Sequence, residues 1–467
     1  MIAALLLALF ALPTSPVPCT QEQDEERAAE LLAKADFQLE KERYEDAVKT
    51  YKLIARKFPD TPAGVIAAKR CAPSTFLTSK LIVDHGPSSN RVDVALMGDG
   101  YTLEHQKAFN ELADDIPAMF ENQKLFDEYF SYFNFRRYNL VSKDSGVDGF
   151  GREEDTALGG RVIGTIQGHV GVDYKQVLRM LDEAPEHDGQ ALVFVRVGTL
   201  GTGGGGIAAI GGRNAAVTIH EFGHSFASLG DEYATKTHDR GRVRSRPNVA
   251  ATEDPEEVPW AHWLEAKARG IGVYEGANGQ VRDAWKPVAS GCVMEDGNFF
   301  CAPCREALVL RIYSLVDPID WVNLPPVPRD HAASLEVEDE LTFEVHVMRP
   351  RKHVLEVSWW VFAEEDAPRD PVAGDPRYAN ARSRLDRSRR GPLWPIVEKP
   401  HDHSRVNKTG KHTFTVKARD LEPGRYRVVC RAKDTTKVRG DKLPWVLKDE
   451  AGLLESERAW WITVPER

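Results

Sequence analysis

Residues 214–233 read NAAVTIHEFGHSFASLGDEY, and His220-Glu221-Phe222-Gly223-His224 within them follows the pattern His-Glu-x-x-His. On a helix, positions i and i+4 lie on one face, so this spacing sets two imidazoles side by side. Two such nitrogens reach one metal ion at roughly 2.0–2.1 Å. Glu221, next to the first imidazole, is within reach of a water on that ion, where a carboxylate acts as general base. Val217, Ile219, Phe222 and Phe226 make the rest of the segment apolar, which predicts a buried helix. A catalytic zinc takes a third protein ligand. Gly223 allows tight packing inside the helix, and Gly230 is placed to end it in a left-handed turn. Asp231 and Glu232 follow at once, and a chain reversing at Gly230 brings either carboxylate to the metal, with Asp231 preferred over Glu232. His238 and His262 are remoter candidates.

A chain of 467 residues sets a prior of about three domains, and its patterning divides three ways. Residues 24–72 are strongly helical, and Leu31, Ala35, Tyr44, Ala47, Tyr51, Ala55 and Pro59 are spaced as in one tetratricopeptide repeat followed by the start of another helix. A single repeat cannot bury its own face, so this helical hairpin is expected to pack on its neighbour or to bind a protein partner. Residues 78–322 alternate strand-like and helix-like segments, as in an α/β domain. Strands are predicted at Arg91 to Met97, Phe133 to Val141 and Ala191 to Val197, with a helix at Leu103 to Phe120. From residue 332 to 467, short alternating segments joined by turns predict an antiparallel β-sandwich. Within it, Ala367 to His403 reads as a long solvated loop. The fold class expected is therefore multidomain α+β.

Gly201 to Gly212 is glycine-rich, but no Lys-Ser or Lys-Thr follows and the spacing is not G-x-G-x-x-G, so a phosphate cradle is disfavoured. Glycines suit close backbone approach at a sheet edge, where an extended peptide can lie. Gly204, Gly205, Gly206 and Ile207 are the candidate substrate edge.

Residues 1–19 hold an uncharged apolar run of signal-peptide length, with neither a basic residue before it nor a clean A-x-A site. Export to the periplasm, cell envelope or medium is expected over a buried N-terminal helix. Lipid anchoring at Cys19 is disfavoured by Pro18. No other stretch is apolar enough to cross a membrane. A net charge of −10 without a long basic run excludes nucleic acid as the expected partner. Cys292, Cys301 and Cys304 cluster in sequence, but no fourth ligand of zinc-like spacing is evident, so a disulfide or simple packing is favoured.

HEFGHSFASLGDEY resembles the signature of the bacterial IgA-peptidase-type zinc metallopeptidases, a branch of the metzincin-like zincins. Met97 to Thr102, Asn134, Ser142 to Asp148, Cys292 to Met294 and Phe300 to Ala307 are similar to further segments of that family. The resemblance spans roughly residues 80–320. It implies a zincin-like catalytic domain with one catalytic Zn2+ held by His220, His224 and Asp231. It further implies Glu221 as base, Met294 in a methionine turn beneath the metal, and a protein or peptide substrate. The third ligand departs from the usual metzincin pattern, where a His stands in the place of Gly230. Tyr233 is a candidate oxyanion donor, and Asp99, Tyr101 and Asp148 are secondary candidates. Two rival readings are a catalytically weak binding protein on a zincin scaffold and a zinc amidase acting on a non-peptide cell-envelope amide.

Overall fold

The computed structural model describes residues 20–466 except 150, 164–167, 185–186, 197–199, 236–242, 327–333, 368–392, 394 and 406–408. The expected export segment with Cys19, His238 and most of the predicted loop 367–403 lie outside these residues.

Helices α1 (Thr20–Glu40), α2 (Tyr44–Lys57) and α3 (Pro62–Arg70) open the chain. The Thr61 side chain caps α3 by accepting from Gly64 N, and Pro62 occupies its first turn, where the missing N–H costs nothing. Ala28, Ala35, Tyr44, Ala47, Tyr51, Ile54 and Ala67 bury one shared face together with Leu77 of the next strand. The turn between α1 and α2 places Glu42 at φ +57°. The Glu42 carboxylate accepts from Lys80 Nζ at 2.8 Å and from the buried Arg137 at 2.7 Å. Burial works against the charge there, but Lys80 and Arg137 prevail and hold the Glu42 carboxyl down at about 2. The helices are thus docked on the central sheet.

That sheet runs β1 (Thr75–Val83), β3 (Phe133–Val141), β2 (Val92–Asp99), β6 (Gln190–Val195), β8 (Ile207–Gly211), β7 (Gly201–Gly204). Its centre is parallel, and β1 and β7 are antiparallel edges. Val92, Val94 and Leu96 of β2 face one layer while Ala95 and Met97 face the other, so both faces are covered. One layer holds α4 (Gln106–Glu121), α5 (Lys124–Glu128), α7 (Ala215–Ala227) and α9 (Ala302–Leu315). The other holds α6 (Tyr174–Leu181) and the short ribbon of β4 (Arg161–Ile163) and β5 (His169–Gly171). After α7 come α8 (Ala261–Glu265) and the hairpin β9 (Tyr274–Ala277) and β10 (Gln280–Lys286).

Two further sheets follow. β11 (Ile319–Val322), β13 (Glu340–Val347) and β16 (Lys411–Lys417) form one. β12 (Leu335–Glu336), β18 (Glu455–Val464), β17 (Gly424–Lys433), β14 (Glu356–Ala363) and β15 (Asp402–Arg405) form the other. Phe343 and Phe414 of the first sheet meet Trp359 and Trp460 of the second at ring distances of 5.0–6.0 Å. β11, which sequence patterning assigns to the central segment, pairs with β13, so the chain passes from α9 straight into the C-terminal sheets.

A buried polar network ties those sheets to the helical layer of α5 and α9. His353 lies between Glu128, 2.7 Å from Nδ1, and Asp434, 2.8 Å from Nε2, and Tyr129 and Tyr313 donate to Asp434. Burial pushes the His353 imidazolium down, but the two carboxylates outweigh it and raise it from 6.5 to about 9. Its stabilisation is therefore complete below pH 6.5 and lost as pH rises through about 9. Burial raises Glu128 and Asp434 and their donors, His353 first, lower them further, so their share is lost on acidification instead. Urea midpoints are expected to fall as pH climbs from 6.5 to 9. His353→Gln should be less stable at about pH 6 and lose most of that alkaline slope. An unchanged slope in the variant would exclude this assignment.

Candidate metal centre

Helix α7 starts at Asn214, whose side chain accepts from Val217 N. Phe222 and Phe226 stack at 4.8 Å and lock the apolar face against Phe120, Phe126 and Phe133. The left-handed residue ending the helix is Ser228, at φ 55°, and not Gly230 as the sequence suggests. Gly230 is required for close approach, since a Cβ there would lie 2.6 Å from Val249 Cγ2. Asn248 accepts from Gly230 N and donates to Gly230 O, fixing the reversal that sends the chain back past α7.

The reversal sets Asp231 opposite the two histidines. His220 Nε2 and His224 Nε2 are 3.0 Å apart, and each lies 3.1 Å from Asp231 Oδ1. His220 Nδ1 faces Val293 O at 2.9 Å and His224 Nδ1 faces Leu229 O at 2.7 Å. A ring nitrogen facing a carbonyl must carry the proton, which leaves both Nε2 lone pairs directed inward. Three acceptors in a triangle repel unless a cation sits among them. Tetrahedral zinc with nitrogen and oxygen ligands at about 2.0–2.1 Å has ligand–ligand edges of about 3.3 Å, so the donor set fits one zinc ion and leaves a fourth position open. Protons alone produce the same sign of effect. Burial raises the Asp231 carboxyl, but hydrogen bonds from His220 and His224 outweigh it and hold it well below the usual carboxylate range. Burial lowers His220, and Asp231 and Glu221 outweigh that and raise it.

Met294 is fully buried beneath the helix. Its sulfur would lie 2.7 Å from a Cβ at Gly223, so the glycine inside α7 is there for the methionine. On the sheet side, α7 lies directly on edge strand β7. A Cβ at Gly201 would sit 2.5 Å from Glu221 Cγ, and one at Gly203 would sit 2.4 Å from Glu221 O and 3.1 Å from Glu221 Oε2. Desolvation raises the Glu221 carboxyl, and the neighbouring imidazoles of His224 and His220 partly counter it.

Strand pairing divides the candidate substrate edge. Gly204 pairs with Ile207, and Gly205 and Gly206, at φ +58° and +88°, form the two-residue turn between them. Ile207 also pairs with Ala191 of β6, so it is interior to the sheet and the edge is Gly201–Gly204. Gly201 turns its carbonyl outward, 3.1 Å from the His169 ring. His169 and Tyr174, which adds to the surroundings of Glu221, carry no spacing signal in the sequence and were reachable only through the fold. The Tyr233 ring lies 6.2 Å from His220 and borders a cavity of about 620 Å3 with Tyr274, Lys286 and Glu295.

Other candidates fall elsewhere. Asp99 accepts from Thr156 Oγ1, Leu158 N and Gly160 N, Asp148 from Glu154 N, and Tyr101 packs on Phe109. These residues fix the loop after β3. His262 is bound to Glu306 at 2.6 Å. Glu232 is fully buried and lies against Cys292, Cys301 and Cys304 rather than in the triangle. No disulfide joins these cysteines, and all five described cysteines are free thiols.

The family model described as IgA peptidase M64 matches residues 81–269, from within β1 to just past α8. Over that segment the chain is similar to the family, which points to a peptidase. Among curated proteins none matches it.

Gly203→Ala is expected to lift β7 from α7 at a cost of about 1–3 kcal/mol, because the added methyl meets the backbone of Glu221. Peptide hydrolysis should fall with it, while Gly204→Ala, where a Cβ meets nothing within 4 Å, should be far milder. Thermal unfolding and turnover of the two variants side by side check this.

Proposed function

We propose that this chain, similar over residues 81–269 to the IgA peptidase M64 family, is an exported, zinc-dependent endopeptidase of that family that uses Glu221 as its general base. The observation that carries the reading is the triangle of His220 Nε2, His224 Nε2 and Asp231 Oδ1, with Glu221 held beside it against a sheet edge. Zinc, when bound there, supplies a Lewis acid for the scissile carbonyl and acidifies water. The protein residues do the rest. Val293 O and Leu229 O keep both imidazoles oriented with Nε2 inward. Glu221 accepts a proton from the attacking water on its carboxylate and passes it to the leaving amine. Burial favours that exchange by bringing the carboxyl nearer neutrality. Gly201–Gly204 offers main-chain groups to an extended peptide, which joins the sheet as a further strand. Tyr233 stands close enough to His220 to serve as donor to the oxyanion.

The flanking parts support this centre. We read the two C-terminal sheets as a β-sandwich, on the strength of the aromatic layer between them. We read the N-terminal helices as a tetratricopeptide-like unit serving as packing. Their Leu77 contact and the Glu42–Arg137 ion pair favour that use over capture of a protein partner. The export reading rests on the apolar run within residues 1–19.

Glu221→Gln keeps the size and hydrogen bonding of the side chain and removes its basicity. Turnover of an unfolded protein substrate is expected to drop by about 10²–10⁴-fold, with bound zinc unchanged by metal analysis. Undiminished turnover in that variant would overturn the assignment of the base.

A further inference from the structure

Behind the triangle lies a second convergence of ligand atoms, formed by Glu232, Cys292, Cys301 and Cys304. One donor atom from each lies within 4.8 Å of all the others. Cys292 Sγ and Cys304 Sγ are 3.9 Å apart, and Glu232 Oε1 is 3.0 Å from Cys304 Sγ and 3.4 Å from Cys301 Sγ. A disulfide requires sulfurs about 2.05 Å apart, so these thiols are gathered without being bonded. Tetrahedral zinc with sulfur at about 2.3 Å and oxygen at about 2.0–2.2 Å has S–S edges of about 3.8 Å and S–O edges of about 3.5 Å. The 3.9 Å S–S and 3.4 Å S–O distances match those edges, and the 3.0 Å S–O contact is shorter.

The surroundings are those of a ligand set. Glu232 is 0% exposed, yet its Oε2 has no hydrogen-bond partner among the described residues. A buried carboxylate with an idle oxygen is costly unless a cation completes it. Its other oxygen is oriented by Asn248 Nδ2 at 2.8 Å. Cys301 occupies the position just before α9 and Cys304 sits in its first turn, so one short stretch of backbone presents both sulfurs to Glu232. Cys301 N points at Cys292 Sγ from 3.5 Å.

We propose that Glu232, Cys292, Cys301 and Cys304 form a second, structural zinc site. Four protein ligands close the coordination sphere, as structural sites require. Three thiolates select zinc over magnesium or calcium. The site fastens both sides of the catalytic triangle. Glu232 follows Asp231 directly, and its N–H donates to Met294 O at 2.6 Å. Cys292 is joined to Val293, whose carbonyl orients His220. Cys292, Cys301 and Cys304 all lie beyond the segment matched by the family model.

The test is metal analysis of the full chain purified under reducing conditions. Wild-type protein is expected to hold about two zinc ions per chain. His220→Ala/His224→Ala dismantles the triangle without touching the thiols, and should retain about one. Cobalt substituted into that double variant should show thiolate-to-metal charge-transfer absorption in the near ultraviolet. Glu232→Gln in the same background should lose the ion to a competing chelator at least about tenfold more readily. Cys292→Ser should do so too, and Glu232→Gln still decides the matter if the cysteine variant does not fold. A double variant that holds no zinc, or that gives a cobalt spectrum without thiolate bands, overturns the proposal. A wild-type chain that binds only the thiolate-held ion would count against the proposed peptidase centre and not against this site.

Discussion

The structure depends on keeping three hydrogen-bond acceptors pointed at one another. Two imidazole nitrogens and a carboxylate oxygen about 3 Å apart repel in any medium, and more so in a buried site. The repulsion is resisted from outside. Backbone carbonyls of Val293 and Leu229 hold the rings by their far nitrogens. Asn248 holds the turn that returns Asp231, and phenylalanines from α4, α5 and β3 hold the face of α7 opposite the site. A cation at the centre turns that stored repulsion into binding energy.

Close approach is the second constraint, and glycine meets it from both sides of α7. Gly223 admits the Met294 sulfur from below, and Gly201 and Gly203 admit the Glu221 side chain and backbone from the sheet. The helix is thereby held between a methionine floor and an edge strand with almost no side-chain spacer. This sets the Glu221 carboxylate directly beside the strand edge. The C-terminal sheets contribute rigidity from further out, through Asp434 and its tyrosine and histidine partners on the catalytic layer.

Glu232 illustrates what linear spacing hides. Adjacent to Asp231, it has the same reach along the chain and the same chemistry. The backbone alternation after Gly230 sends the two carboxylates to opposite sides. One meets the histidines and the other meets three cysteines some sixty and seventy residues downstream. The cysteines for their part lack a fourth ligand of suitable spacing in sequence, because it lies on another element. Gly201 and Gly203 are similar: their need for closeness is plain from composition, but what they approach is the active helix itself.

The sequence by itself determined the helix bearing His220 and His224, the buried strands, and the division into helical, α/β and β-rich parts. Those properties follow from periodicities of two and of 3.6 residues, which act between near neighbours. The tertiary structure alone decided that Glu232 turns away from the triangle the sequence assigned to Asp231, that Ser228 rather than Gly230 takes the left-handed turn, and that β11 crosses into the C-terminal sheet. It also decided that Cys292, Cys301 and Cys304 meet Glu232. Each of these turns on which backbones can pack closely across long sequence separations, and a local pattern carries no information about that.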